Sequence, residues 1–193
     1  HEAGLRVSVH INTAVDFRHA VRAGADELAH LPGRDGPERI APEDAAEAAR
    51  RGVVVVTTAS LALKKKETDA AAFEAIRSAQ VLNVKLLKES GVRLAVGSDL
   101  YDDTSVREVD YLRELGVFSP HELLAIWTGT GATSVFPGRK ICRLDDGYEA
   151  SFLVLAGNPL EDWANTKRIR SSFKDGKPLR ASPSGAKDQP STN

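Results

Sequence analysis

Two histidines and one aspartate stand where short apolar segments of the sequence end. His10 ends the segment VSVH, His30 ends ELAH, and Asp99 closes LAVGSD. Imidazole nitrogens and carboxylate oxygens are ligands that suit zinc and similar divalent ions, and a carboxylate can also transfer protons. A single histidine at a strand end is more often a hydrogen-bonded polar residue than a ligand. The recurrence of such residues in three separate segments favours a common site.

These segments belong to a repeating pattern of strand and helix that covers the first 116 residues. Because four such units follow one another, we predict an α/β fold with parallel strands, either an open doubly wound sheet or half of a (β/α)8 barrel. Ligands of such folds collect where the carboxyl ends of the strands meet, so we expect His10, His30, Thr57, Thr58 and Asp99 to share one edge. The predicted strands cover residues 5–11, 27–31, 53–58 and 94–96, and the predicted helices cover 14–23, 42–51, 68–89 and 105–115.

Two later segments have the spacing of a helix start. Ser105 precedes Glu108 by three residues, and Ser119 precedes Glu122 by the same interval. In a capping box, the serine side chain accepts a backbone N–H of the first turn and the glutamate accepts the N–H of the serine. Both segments are therefore predicted to begin helices through reciprocal hydrogen bonds.

The pattern changes after residue 117. A strand is predicted over residues 148–155, and the Asp175-Gly176 pair indicates a hairpin turn. The final segment contains Ser, Pro, Gly and Lys without periodicity, which is typical of disorder. The pattern therefore predicts a small β-rich segment after the α/β repeats and a disordered tail over residues 181–193.

The composition limits the classes of function. The chain has 193 residues, of which 41% are hydrophobic and 27% charged, with a net charge of −1 and one cysteine. The near-neutral charge disfavours nucleic acid or an anionic membrane as a partner, and no apolar run is long enough for a membrane span. A single cysteine excludes an internal disulfide, so the compartment stays open. A small-molecule or protein partner is expected.

The sequence resembles the metal-dependent amidohydrolase superfamily, in particular its imidazolonepropionase-like and dipeptidase-like group, from residue 1 to about 180. The segment VSVHINTAVDFRHAVRAGADELAHLPG resembles the fifth and sixth barrel strands of that family, and GVRLAVGSDL resembles the eighth. The region from SPHELLAIW to SSFKDGKPL resembles its closing helices and small β-sandwich domain. The resemblance implies half of a (β/α)8 TIM-type barrel, strands five to eight, with closing helices over residues 1–136, and part of a small β-sandwich domain over residues 137–180.

The resemblance also implies roles for the three candidate residues. Asp99 matches an aspartate that contacts the metal and shuttles a proton, while His10 and His30 match the histidines of the fifth and sixth strands. The resemblance implies that His10 is a metal ligand, and that His30 is a second-metal ligand in a two-metal site or a substrate-facing hydrogen-bond donor in a one-metal site. The implied cofactor is one or two divalent ions, with zinc the expected metal. The implied reaction is hydrolysis of a C–N bond in an amide, a cyclic imide or a small peptide.

The family's His-x-His pair and its fourth-strand lysine have no counterpart, because those segments would precede His1. We therefore expect a carboxyl-terminal fragment that is weakly active or inactive alone and is completed by the missing amino-terminal half or by a second copy of the chain. An alternative is a non-catalytic half-barrel that acts as a binding or assembly module. A third interpretation is an open flavodoxin-like sheet with fortuitous histidines at its strand ends.

Overall fold

A computed structural model describes residues 3–34 and 36–179 of the chain. Two compact units, His1–Gly138 and Arg139–Asn193, are distinguished by their internal contacts. The predicted domain boundaries at 136 and 180 stay a prediction, and the predicted disordered tail lies outside the described residues.

The first unit contains one sheet of four parallel strands in the sequential order β1-β2-β3-β4. The predicted strand positions are confirmed, although most strands are shorter than predicted, because the flanking residues lie outside the regular strand pairing. A flavodoxin-like sheet reverses its strand order, and this sheet does not. The strands are β1 (Ser8–His10), β2 (Glu27–Ala29), β3 (Val54–Thr57) and β4 (Arg93–Val96).

Helices connect the strands and begin and end at residues with identifiable roles. Helix α1 begins after Thr13, whose side chain accepts the N–H of Asp16, and ends at Gly24 in the left-handed conformation. Short α3 follows a 3₁₀ helix (Ala59–Ala62) after β3. The bounds are α1 (Ala14–Ala23), α2 (Pro42–Arg51), α3 (Leu63–Lys66), α4 (Ala70–Glu89), α5 (Ser105–Glu114), α6 (Pro120–Leu124) and α7 (Gly131–Val135), with a π-helix (Ala125–Thr130) between the last two.

The core lies where the sheet meets its helices. Val9, Leu28, Val55 and Leu94 pair across the four strands at one level of the sheet. The last three of these are buried, as are helical residues such as Phe17. Burying each such side chain contributes about 1.5–3 kcal/mol, so this layer stabilises the sheet whose carboxyl ends carry the candidate residues.

One of the two predicted capping boxes is wrong. Ser119 and Glu122 form theirs as expected. Helix α5 instead has Thr104 as its N-cap, whose hydroxyl accepts the N–H of Val106 at 3.3 Å. Glu108 is turned into the protein interior and is fully buried, because backbone donors from another segment bind its carboxylate.

The second unit contains a three-stranded antiparallel sheet in the order β5-β6-β7. Its strands are β5 (Phe152–Leu155), β6 (Ile169–Lys174) and β7 (Lys177–Leu179), and a 3₁₀ helix (Trp163–Lys167) precedes β6. The rings of Phe152 and Phe173 stack with centroids 4.7 Å apart. The predicted hairpin at Asp175-Gly176 is confirmed by the pairing of β6 with β7. No helix in the described part of the chain is long and apolar enough to cross a membrane.

Gly97 directly follows β4, at a point where the chain lies very close to β3. A Cβ at this position would lie 2.6 Å from Val56 Cγ1 and 3.1 Å from the carbonyl oxygen of Thr57. Gly97→Ala should therefore lower the free energy of unfolding by about 1–3 kcal/mol through overpacking, measured by urea denaturation. Gly129→Ala is the control, since open space surrounds that position. Equal stability of the two variants would contradict the close approach.

Candidate active site

The carboxyl ends of the four parallel strands carry the residues singled out in the sequence. His10 is the last residue of β1, and His30 and Thr58 each follow the last residue of their strands by one position. Asp99 comes three residues after the end of β4. Since the strands are parallel, these residues all belong to the same edge of the sheet.

The two histidine rings are neighbours. Their centroids are 4.6 Å apart and their planes are inclined by 77°, so the edge of one ring faces the other. His10 is exposed, since it ends a strand at the edge of the sheet. His30 is only 8% exposed. The pair therefore combines one accessible imidazole with one that the fold surrounds.

His30 is held from the neighbouring strand β3. Its backbone N–H donates to the carbonyl oxygen of Val56 at 2.9 Å. Its ring Nδ1 lies 2.7 Å from the hydroxyl oxygen of Thr58, which leaves Nε2 as the other ring nitrogen. The φ angle of His30 is +84°, a left-handed conformation that is costly for a residue with a Cβ and that clusters at functional sites.

Asp99 occupies a cleft at the same edge. Its φ angle is +50°, so both His30 and Asp99 have left-handed backbones. The cleft has a volume of about 490 Å³. Its lining combines three cationic side chains and two carboxylates with three other residues: Arg34, Lys64, Lys65, Asp99, Asp102, Leu61, Leu100 and Tyr101.

The surroundings of His30 favour its neutral form. Burial is the main cause that lowers the pKa of His30, and the nearby His10 lowers it further. The carboxylate of Asp99 opposes this by raising the pKa, while Arg34 lowers it. A neutral imidazole can bind a metal ion or exchange hydrogen bonds with a substrate.

The donor set fits a divalent metal in part. His10 and His30 place two imidazoles side by side, which suits two positions of a zinc coordination sphere. Within residues 3–34 and 36–179, no group of three histidine, cysteine, aspartate or glutamate residues is arranged to hold a metal ion. Asp99 therefore shares the edge with the histidines without completing a three-ligand site.

Sequence reasoning missed several residues of this region. No sequence pattern indicates a site role for Lys64 and Lys65, which line the cleft beside Asp99. The spacing of Glu108 from Ser105 predicts a cap, whereas its backbone partners lie in the segment that follows Thr58. A signal for Glu108 was present in the sequence, because it shares a helical stripe with Tyr111, Leu112 and Leu115, which are all buried.

A unit whose parallel strands end in imidazoles and a carboxylate has the layout of α/β enzymes that react at the carboxyl edge of the sheet. The chain belongs to the amidohydrolase family, whose model matches residues 1–179. Among curated proteins, ochratoxinase of Aspergillus niger is 26% identical over 178 residues, which are 89% of this chain and 37% of ochratoxinase.

Solved structures agree in fold. The crystal structure of an amidohydrolase matches with a TM-score of 0.73 and 27% identity, over 92% of this chain and 45% of that protein. Ochratoxinase of A. niger has a TM-score of 0.78 at 23% identity, over 95% and 43% of the two chains. A putative prolidase from Bifidobacterium longum has a TM-score of 0.75 at 22% identity, over 92% and 47%. The chain thus spans less than half the length of these relatives.

The lowered pKa of His30 predicts a pH-dependent stability of the metal-free chain. A depressed pKa means that the unfolded state binds more protons, so stability is complete above the ordinary value of 6.5 and is lost as the pH falls below it. The urea midpoint measured with a chelator should therefore be lower at pH 5.5 than at pH 7.5. His30→Asn should reduce this difference, and the exposed control His19→Asn should not. Equal pH dependence in all three proteins would contradict the prediction.

Proposed function

We propose that this chain supplies the carboxyl-terminal part of a metal-dependent hydrolase that cleaves C–N bonds in amides, cyclic imides or small peptides. The observation that carries the proposal is the adjacent His10–His30 pair, 4.6 Å between ring centroids, at the strand edge that also bears Asp99. Membership of the amidohydrolase family supports the same reaction class.

The four strands would be strands five to eight of a (β/α)8 barrel. The sequential parallel order supports this assignment, because neighbouring barrel strands are consecutive in the chain. Strands β1 and β4 are the outer strands of the described sheet. A barrel would require four more strands between these two edges, from an amino-terminal segment or a second copy of the chain. These additional strands would also supply the remaining metal ligands.

Each candidate residue then has a role that follows from its position. His10 and His30 would hold a divalent ion, zinc being the expected one, and in a one-metal site His30 would instead donate a hydrogen bond to the substrate. A divalent ion bound there lowers the pKa of water to about 7 and polarises a carbonyl oxygen. Asp99 would accept the proton of the attacking water and deliver it to the departing nitrogen, so that an amine leaves.

The cleft beside Asp99 favours substrates that carry an anionic group. Three cationic side chains, Arg34, Lys64 and Lys65, face a space that also contains the predicted proton-transfer residue. Arg34 lies in the loop after β2, whereas Lys64 and Lys65 lie on α3, which follows β3 and its 3₁₀ helix. A carboxylate on the substrate would lie between them, which orients the scissile bond toward Asp99.

A non-catalytic binding or assembly module remains the second candidate. The observation that favours it is the pair of outer strands, β1 and β4, each of which pairs with a single neighbour in the described sheet. The two candidates differ in what the histidines do: an assembly module needs no metal, and a hydrolase does.

Alanine substitutions in the whole protein distinguish these candidates. His10→Ala and His30→Ala should each lower zinc affinity by at least about 10-fold, measured by competition with a chromogenic chelator. Asp99→Asn should lower kcat for amide hydrolysis by about 100- to 10,000-fold, because the proton acceptor is lost. His19→Ala, an exposed change within α1, is the control. Unchanged zinc affinity in both histidine variants would refute the metal site and leave the module.

The cationic cleft predicts a charge preference that can be measured with paired substrates. Lys64→Gln and Lys65→Gln should each raise KM for an N-acetyl amino acid by about 1.5- to 5-fold, the value of an exposed ion pair. KM for the corresponding carboxamide should not change, since it lacks the charge. Lys85→Gln is the control, because Lys85 lies on α4 and outside the cleft lining. Equal effects on both substrates would contradict an electrostatic role.

A further inference from the structure

The hydroxyl group of Thr58 does not make the hydrogen bond that is usual for a threonine at the start of a helix. Thr58 is the N-cap of the 3₁₀ helix Ala59–Ala62, yet its side chain makes no capping hydrogen bond. A threonine in this position ordinarily accepts a backbone N–H of the first turn. Here its Oγ1 lies 2.7 Å from Nδ1 of His30, and both residues are buried.

A carboxylate from another helix replaces the missing cap. Glu108 of α5 accepts the N–H of Ala59 at 2.8 Å and the N–H of Ser60 at 2.7 Å. These are the first two N–H groups of the 3₁₀ helix, which have no partner within the helix itself. Because Glu108 satisfies them, the hydroxyl of Thr58 is not needed as a cap.

Further buried hydrogen bonds fix the same peptide unit. Gln80 of α4 donates from Nε2 to the carbonyl oxygen of Ala59 at 3.1 Å, and the hydroxyl of Tyr111 donates to Gln80 Oε1 at 2.7 Å. Glu108, Tyr111 and Gln80 are 0%, 2% and 3% exposed. Burial raises the pKa of Glu108, and the N–H groups of Ser60 and Ala59 oppose that rise. A side chain with so costly a location is retained only where it is fully hydrogen-bonded.

We propose that Thr58 is a positioning residue, which holds the His30 ring in one orientation and one tautomer, and that Glu108 keeps the Thr58 hydroxyl available by capping the 3₁₀ helix in its place. The hydrogen bond at Nδ1 holds the ring plane, and the Thr58 hydroxyl pairs with either tautomer, accepting from a protonated Nδ1 or donating to an unprotonated one. Where the hydroxyl accepts, Nε2 is unprotonated and can bind a metal ion. The proposal rests on the proposed function in one respect, namely that Nε2 of His30 faces a metal ion or a substrate.

The test reads the tautomer directly, in the metal-free 193-residue chain. Long-range ¹H–¹⁵N NMR correlations of the imidazole at pH 8 distinguish the two neutral tautomers. We expect one tautomer of His30 in the unsubstituted chain and in Thr58→Ser, which retains the hydroxyl, and averaged shifts in Thr58→Val. Thr166→Val is the matched control, because Thr166 is buried to the same degree, 8% against 7%, in the other unit.

A single unchanged tautomer in Thr58→Val, or averaged shifts in Thr58→Ser, would overturn the role of Thr58. For Glu108, we expect Glu108→Gln to give the averaged shifts of Thr58→Val although Thr58 is intact, because one N–H of the 3₁₀ helix then competes for the hydroxyl. If Glu108→Gln does not fold, Glu108→Asp gives the same readout, since its shorter side chain cannot reach both donors. A single tautomer in the folded Glu108 variant would overturn the capping role.

A zinc titration of the same variants separates this proposal from the proposed function. Loss of a hydrogen bond to a ligating histidine lowers metal affinity by about 10- to 100-fold, so Thr58→Val should weaken zinc binding by that factor and Thr58→Ser should restore it. Tautomer averaging without any change in zinc affinity would support the positioning role and contradict His30 as a metal ligand.

Discussion

Parallel pairing of four short strands is the constraint on which the rest of this structure depends. The backbone hydrogen bonds continue beyond the strands themselves: Ile11 donates to Ala29, His30 to Val56, and Gly97 to Thr57. Each strand end is therefore tied to its neighbour one residue past the regular ladder. The two candidate histidines lie at or next to these hydrogen-bonded positions. Their positions therefore depend on the sheet register more than on loop conformation.

Several residues at the strand edge have energetically unfavourable backbone conformations or a buried carboxyl group. Packing of the core must offset their cost in free energy. His30 and Asp99 have positive φ angles of +84° and +50°, and Glu108 is a fully buried carboxyl group. Each such feature costs free energy, of order 1–3 kcal/mol for a strained backbone. Among the described non-glycine residues of the first unit, only His30 and Asp99 have positive φ angles, and strained residues of this kind cluster at functional sites.

The two histidines differ in solvent exposure because their strands occupy different places in the sheet. His10 ends the outer strand β1 and is accessible, while His30 follows the inner strand β2 and is enclosed by Thr58 and the β3 segment. Any strand that pairs with β1 in parallel would bring its own carboxyl end beside His10.

Local patterns in the sequence were sufficient to predict the strands, the helices α1 and α2 with their glycine ends, and the Ser119–Glu122 capping box. They also predicted that His10, His30 and Asp99 stand at strand ends. These features depend on neighbouring residues and on the side-chain period. Tertiary structure alone decided which distant residues contact the side chains of the site. Glu108 binds donors 49 and 48 residues away in the sequence, and its spacing from Ser105 suggested a local cap instead. The contact of His30 with Thr58 and the lysine lining of the cleft likewise depend on which strand lies beside which, and no local propensity encodes that arrangement.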